Sequence, residues 1–289
     1  MTFLAALIGT VLFAILAPIV GCLLAGVDRV VSAKMQGRVG PPLLQPYYDV
    51  RKLLEKDDVS VNGVDGVYMT VALIFTMFAG GIFFSGGSLL MSSLVITMAS
   101  LMFVIAAYSS RSPFAEVGAG RETIAVMSYE PMVLFFAVVF YLATGTFDAS
   151  GAFDGRLPII TVTWLAFIGF LFILTIKLRK SPFDLSMAEH AHQELVRGMT
   201  TEMSGKTLAK VEIMHWCETV LFLGWTGIFF VWANPASIIV GIVVAIVAFL
   251  FEIWVDNNFA RVKWQAMLKS AWIVALVCGA INMCVLMYV

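Results

Sequence analysis

The chain has 289 residues, 61% of them apolar and 13% charged, and a mean hydropathy of +0.95. Soluble domains are usually about 45–50% apolar and about 25% charged, so the surplus belongs against lipid or partner helices and a water-soluble globule is excluded. The net charge of −1 offers no bulk attraction to nucleic acid or to an acidic substrate.

A membrane-crossing helix needs about 20 mainly apolar residues. On that measure the sequence predicts an all-α integral membrane protein, a single membrane domain over 1–289 with eight transmembrane helices. They fall near 3–25, 67–85, 88–108, 123–145, 158–178, 209–232, 236–255 and 265–288. The first run is too long for a signal-peptide core and lacks a basic leader and a small-x-small cleavage site, so it is read as a retained helix. It is followed by the first large loop, 26–66. There Leu43, Tyr47, Val50 and Leu54 recur at i, i+4, i+7 and i+11 among Asp49, Arg51, Lys52 and Glu55. That spacing predicts an amphipathic helix lying at the headgroups or under a docked protein. The second and third spans meet at Ser85-Gly86-Gly87-Ser88, the sixth and seventh at Ala233-Asn234-Pro235, and the other large loops are 109–122, 177–210 and 256–264.

Seventeen of the eighteen Lys and Arg residues fall in the odd-numbered loops or at the start of the last helix; Arg156 alone lies opposite. By the positive-inside rule these loops face the cytoplasm and both termini lie outside a cytoplasmic (cell) membrane. The elaborated surface is then all on one face, as a protein that receives a cytoplasmic partner requires. Cys22, Cys217, Cys278 and Cys284 sit in apolar runs without Cys-x-x-Cys or Cys/His spacing, which reads as small buried hydrophobes and no metal in this chain.

A carboxylate at the centre of a membrane helix costs about 2.5–3.5 kcal/mol on insertion scales, so acids at depth are functional candidates. Glu130 opens the fourth span. In the sixth, Glu212 and Glu218 flank His215 three residues to either side, which places the three on an arc of about 120°. Glu252, beside Asp256, Asn257 and Asn258, reads as interfacial instead. The 177–210 loop carries Glu189, His190, His192, Glu194 and Glu202. Histidines at i, i+2 do not share a helix face, which disfavours a metal site. A solvated charged loop is the bland reading; protonatable residues at the mouth of an ion path is the preferred one. Gly118-Ala-Gly120 lacks the third glycine and preceding strand of a dinucleotide fingerprint, and no nucleophile triad or phosphate loop is visible, so catalysis by this chain alone is not expected.

Three segments carry a resemblance. Gly37-Arg-Val-Gly-Pro-Pro-Leu-Leu-Gln-Pro46 is followed by Asp49 and Lys52-Leu-Leu54; Ser109-Ser110, Ser112, Gly118-Ala119 and Arg121 lead to Ser128-Tyr-Glu130; Pro182-Phe-Asp-Leu185 leads to Ala188-Glu189, Glu194-Leu-Val196, Gly198, Glu202 and Ser204-Gly205. In these the chain resembles the subunit 1 (NuoH) family of respiratory complex I and its relatives in membrane-bound nickel–iron hydrogenases. Complex I members usually have an acid where Met187 stands and lack the extra residues around His190-Ala-His192, and their span-six acid falls near His215. The His-Ala-His-Gln-Glu-Leu run looks more like Ech-type energy-converting hydrogenases.

The resemblance implies a non-catalytic subunit that docks a soluble electron-transfer module and joins it to antiporter-like membrane subunits. Electrons from ferredoxin would pass through iron–sulfur clusters of a ferredoxin-like subunit and the hydrogenase small and large subunits to a nickel–iron centre, with no cofactor in this chain. It further implies docking through Arg38, Gln45, Asp49, Arg51, Arg121, Asp184, His190, His192 and Arg197. Protons or sodium ions would move along Glu130, Glu189, Glu194, Glu202, Glu212, His215 and Glu218. A complex I subunit forming a quinone chamber and a stand-alone secondary transporter are the competing readings. The second would be expected to show repeated halves with broken helices, and no internal repeat is evident.

Overall fold

The computed structural model describes residues 3–57, 63–187 and 197–288. Among them the regular elements are helical: α1 (Phe3–Met35), α2 (Gln45–Glu55), α3 (Val64–Phe84), α4 (Leu89–Ser109), α5 (Pro113–Thr144), α6 (Ile160–Lys177), α7 (Gly205–Ile228), α8 (Ser237–Asn258), α9 (Trp264–Val274) and α10 (Ile281–Tyr288). A π-helical stretch, Ala275–Ala280, makes α9 and α10 one rod. Seven of these helices are long and apolar enough to cross a membrane. The remaining predicted span, the sixth at 209–232, corresponds to α7. It has 24 residues, enough for about 36 Å of rise, but Glu212, His215 and Glu218 interrupt its apolar run and it is not among the seven.

Two helices run further than expected, and both extensions matter for the site. α1 continues through 26–35, carrying Asp28 and Arg29, because nothing breaks the helix before Gly37. There the backbone turns left-handed (φ +69°), and the Arg38 amide donates back to the Ala33 carbonyl at 2.8 Å, a glycine-terminated helix end with Lys34 favourably placed in the last turn. α5 starts at Pro113, ten residues before the predicted span, with proline at the first position and Glu116 in the first turn. Residues 113–122, expected in a loop, are therefore helical, and Glu122 is brought into the bundle.

The amphipathic helix forms as α2, but its inward stripe is shifted. Pro46 and Val50 are buried, and Leu53 is partly buried against α7 and α1 beside Ala209, Trp216 and Cys22. Leu43, Tyr47 and Leu54, assigned to the same face by spacing, stay about half exposed. α2 has apolar residues on two flanks, and tertiary packing takes only one.

The two ends of the bundle differ. At one, short turns are tied backbone to backbone: Leu89 N–H to Phe147 O at 2.8 Å, Ala149 N–H to Gly87 O at 2.9 Å, Ile160 N–H to Phe229 O at 2.9 Å and Ala233 N–H to Gly155 O at 2.9 Å. Just inside lies an aromatic layer of Phe136, Phe170, Phe222, Trp225 and Phe229, with rings 4.9 Å apart for Phe136–Phe229 and 4.8 Å for Phe222–Trp225. The other end is held by charges: Arg29 to Asp49, Lys180 to Asp28 and Asp256, and Arg261 to Asp184.

Candidate functional site

A buried ion network lies between the aromatic layer and the charged end, where α4, α5, α6 and α7 meet. Lys177, the last residue of α6, is 4% exposed. Its ammonium lies 3.3 Å from Glu218 Oε1 and donates to Ser100 Oγ at 2.9 Å and Tyr129 Oη at 3.2 Å. It also sits 5.2 Å from the centre of the Phe222 ring, so the network rests on the aromatic layer. Arg179, two residues on, adopts a left-handed backbone (φ +52°), an uncommon conformation for a residue with a Cβ. That turn aims its guanidinium back into the bundle, where it reaches Glu122 Oε1 at 2.8 Å and Glu218 Oε2 at 3.3 Å. Glu122 also accepts from the Ser186 hydroxyl, tying the loop after α6 to α5.

Two cations thus face two carboxylates, with Glu218 shared between Lys177 and Arg179. Burial costs each ion several kcal/mol, and only close pairing with satisfied hydrogen bonds offsets it. Burial works against the charge on Arg179, yet Glu122 and Glu218 together hold its pKa above the usual arginine value. Glu130, one turn along α5 from Val126 and next to Tyr129, accepts two contacts from Thr97 Oγ1 of α4, at 2.8 and 2.9 Å, and remains part-exposed at the side of the bundle.

Toward the charged end the network opens into a cavity of about 180 Å³ among α1, the end of α6, α7 and α8. Its charged lining comprises Asp28, Arg29, Lys180, Asp184, Glu212 and Asp256, with Lys177, Arg179 and Glu218 at its floor. His215 also faces it; the ring packs edge-on against Phe103 at 5.8 Å, and Nε2 has no hydrogen-bond partner among the described residues. Asp256 anchors the rim, accepting from the Ser181 amide at 2.8 Å, and Asp184 is clamped by Arg261 at 3.0 and 3.1 Å.

Of the residues singled out from the sequence, Glu212, His215 and Glu218 therefore share the cavity, and Asp184 lines it as a buried anchor. Glu130 stands apart at Thr97, and Glu202 lies in the turn before α7 without lining the cavity. Arg38 contacts Gln36, Gln45 donates to Asp49 at 2.9 Å, and Arg51 pairs with Glu55 at 3.0 Å along α2. Burial opposes ionisation of Asp49, but its bond to Arg29 and the Gln45 contact pull the carboxyl below its ordinary range. Arg121 reaches the Leu185 carbonyl at 3.5 Å, and Arg197 is exposed with a left-handed backbone (φ +59°). Glu189, His190, His192 and Glu194 lie outside the described residues.

The sequence reading passed over Lys177, Arg179, Glu122, Tyr129 and Ser100. Lys177 and Arg179 entered it as loop charges, and Glu122 as part of a loop that turns out to be helix. Lys177 did carry a signal, since it stands between Ile176 and Leu178 at the end of an apolar run. Glu252, read as interfacial, is 0% exposed within α8 and so faces protein rather than solvent. Among the described residues no three His, Cys, Asp or Glu side chains converge as metal ligands.

A bundle of apolar helices with an ion network buried inside and a charged cavity at one end defines the class: a multi-pass membrane protein with charge enclosed in its bundle. The chain belongs to the NADH dehydrogenase family, whose model matches residues 8–287. It is similar to formate hydrogenlyase subunit 4 of Escherichia coli, 27% identical over 86% of this chain and 89% of that one. It is likewise similar to a subunit of the NADH-quinone oxidoreductase of Anoxybacillus flavithermus, 28% identical over 88% of this chain and 85% of that one. Among solved structures, a chain of the membrane-bound sulfane sulfur reductase, an archaeal respiratory membrane complex, shares the fold with a TM-score of 0.87, covering 97% of this chain and 99% of that one at 23% identity.

Proposed function

We propose that this chain is the membrane subunit of a complex I-like, hydrogenase-type respiratory complex, and within that class of a ferredoxin-dependent energy-converting nickel–iron hydrogenase. It docks the soluble electron-transfer module at its charged end, which faces the cytoplasm, and passes charge to an antiporter-like neighbour. In this reading α7 is a span and brings the total to eight, because it packs against α1, α2, α3 and α8 in the middle of the bundle and its acids face protein rather than lipid. The redox groups, iron–sulfur clusters and the nickel–iron centre, belong to the partners.

One observation supports the reading: Glu218 is shared by two buried cations at the floor of a cavity toward the charged end. Protonating Glu218 leaves Lys177 and Arg179 with one carboxylate between them, so a proton arriving there tends to displace positive charge elsewhere. A shift of the loop after α6, on which Arg179 and Ser186 ride, changes the same balance from above. The aromatic layer beneath Lys177 offers no polar route onward, whereas Tyr129 and Glu130 lead sideways to the α4–α5 flank. Charge therefore leaves toward a neighbouring subunit.

The relatives include both hydrogenase-type and quinone-type proteins. At about 180 Å³ and with a charged lining, the cavity is smaller and more polar than the pockets of about 300–1,000 Å³ that hold organic ligands, and it suits water and ions; a separate apolar pocket of about 630 Å³ lies among α1, α3, α7 and α8. The hydrogenase-type reading is supported by the charged cavity alone.

The test is ion translocation by the intact complex in proteoliposomes. Glu218→Gln and Glu130→Gln are expected to assemble and to support hydrogen formation while translocation per electron falls sharply, because an amide cannot carry the proton. Unchanged translocation in both removes them from the path and the reading with them.

A further inference from the structure

Glu252 is the acid that the network leaves unused. Every other buried acid among the described residues is answered: Asp65 by the Gly66 amide, Glu122 by Arg179, Glu218 by Lys177 and Arg179, Asp184 by Arg261. Glu252 is 0% exposed, no cation pairs with its carboxyl among the described residues, and the polar group set against it is the Thr175 hydroxyl of α6. Ionised and unpaired it would be among the costliest groups a protein interior can hold. As a purely structural residue it holds nothing in place, and a leucine would fill the space more cheaply. A buried acid without a counter-ion calls for an explanation, and handling a proton or an ion is one.

Its position says what it meets. Phe249, Glu252 and Asp256 recur along one face of α8, and Phe249 and Asp256 both line the charged cavity. Glu252 therefore sits behind the cavity wall, one helical turn in from the rim. The groups that face it are the hydroxyl-bearing Thr175 of α6, Lys180 from the loop after α6 and Asp256 on its own helix. Lys180 is also bridged to Asp28 of α1, and α7 contributes Glu212, His215 and Glu218 from across the cavity.

We propose that Glu252 is a further proton-carrying residue, exchanging a proton with the cavity through Asp256. The step is a simple transfer. An O–H bond on the Asp256 carboxyl breaks as one forms on the Glu252 carboxylate, a hydronium ion entering the cavity from bulk solvent reprotonates Asp256 and is left as water, and on the return stroke Lys180 is the cation that answers the Glu252 charge. This rests on the reading of the chain as an ion-coupling subunit.

The test uses the intact complex in two measurements, translocation per electron and redox-triggered infrared difference spectra. A protonated carboxyl held away from water gives a C=O stretch that shifts in heavy water. That band is expected in the wild type and absent in Glu252→Gln, with translocation down roughly tenfold. Glu252→Asp, which keeps the acid and moves it by one methylene, should retain translocation with the band displaced; it carries the test if Glu252→Gln does not assemble. Four results overturn the inference: a band unaltered in Glu252→Gln; a band unaltered in Glu252→Asp; a band that follows sodium concentration and ignores heavy water, which means a cation site; or translocation unchanged in Glu252→Gln. If Glu218→Gln still abolishes translocation when any of these is seen, the broader reading stands and only Glu252 is withdrawn.

Discussion

Lys177 and Glu218 illustrate how a membrane bundle keeps charge at depth. Neither is tolerable alone, and each has its cost offset by the other and by Arg179, Ser100 and Tyr129. Removing one partner of a buried pair typically costs about 3–5 kcal/mol, while removing both is far milder. Lys177→Met is therefore expected to lower the apparent melting temperature of the detergent-solubilised complex sharply. Lys177→Met combined with Glu218→Gln should recover much of the loss while remaining inactive in translocation. Equal melting of the single and double variants would show that the pair is not the unit that matters. Glu130 is a milder case: its carboxyl is served by a hydroxyl, and Thr97→Val should cost only about 1 kcal/mol in the same assay.

At the scale of elements, the charged end is a set of helix termini tied to loops. Arg29 on α1 holds Asp49 on α2, and the tie lowers the Asp49 pKa in the folded state. A depressed carboxylate contributes stability that is present above its unfolded pKa of about 3.9 and is lost as the pH falls through the lower folded value. Both side chains are over two-fifths exposed, so the contribution is screened and under about 1 kcal/mol. Asp49→Asn is expected to loosen α2 slightly at neutral pH and low salt, and to make no difference at high salt or once the pH has fallen through the lowered folded value. Hydrogen exchange over residues 45–55 would measure it; a loss of protection that persists at high salt would show that packing by Val50, not charge, is what the change disturbs.

For the whole molecule, membrane topology follows from the count of spans. Eight spans put both termini on one side, and seven would separate them. Impermeant thiol labelling of Ser150→Cys, in the short-turn end, should occur from outside the cell, and that of Arg38→Cys and Lys263→Cys only from the cytoplasm. Tags at the two termini should report the same side. Termini on opposite sides would mean that α7 lies within the protein without crossing the bilayer, and the lateral route through Glu218 would have to be redrawn.

The helical spans were legible because lipid imposes a length and a composition that need no partner to be recognised, and the seven apolar helices are where hydropathy places them. Polar positions are a different matter. Glu212, His215 and Glu218 announced themselves because acids inside an apolar run are rare. Lys177, Arg179 and Glu122 stood at the edges of runs, where a charge is ordinarily solvated, and only the extension of α5 and the left-handed turn at Arg179 brought them together. By itself the sequence determined that this is a helical membrane protein with its charge on one side, because hydropathy and charge asymmetry are local properties. Which charges are paired, and which buried acid is left without a counter-ion, was decided only by tertiary structure. Pairing depends on distances between residues up to 152 positions apart in the chain, as between Asp28 and Lys180, and no local pattern encodes them.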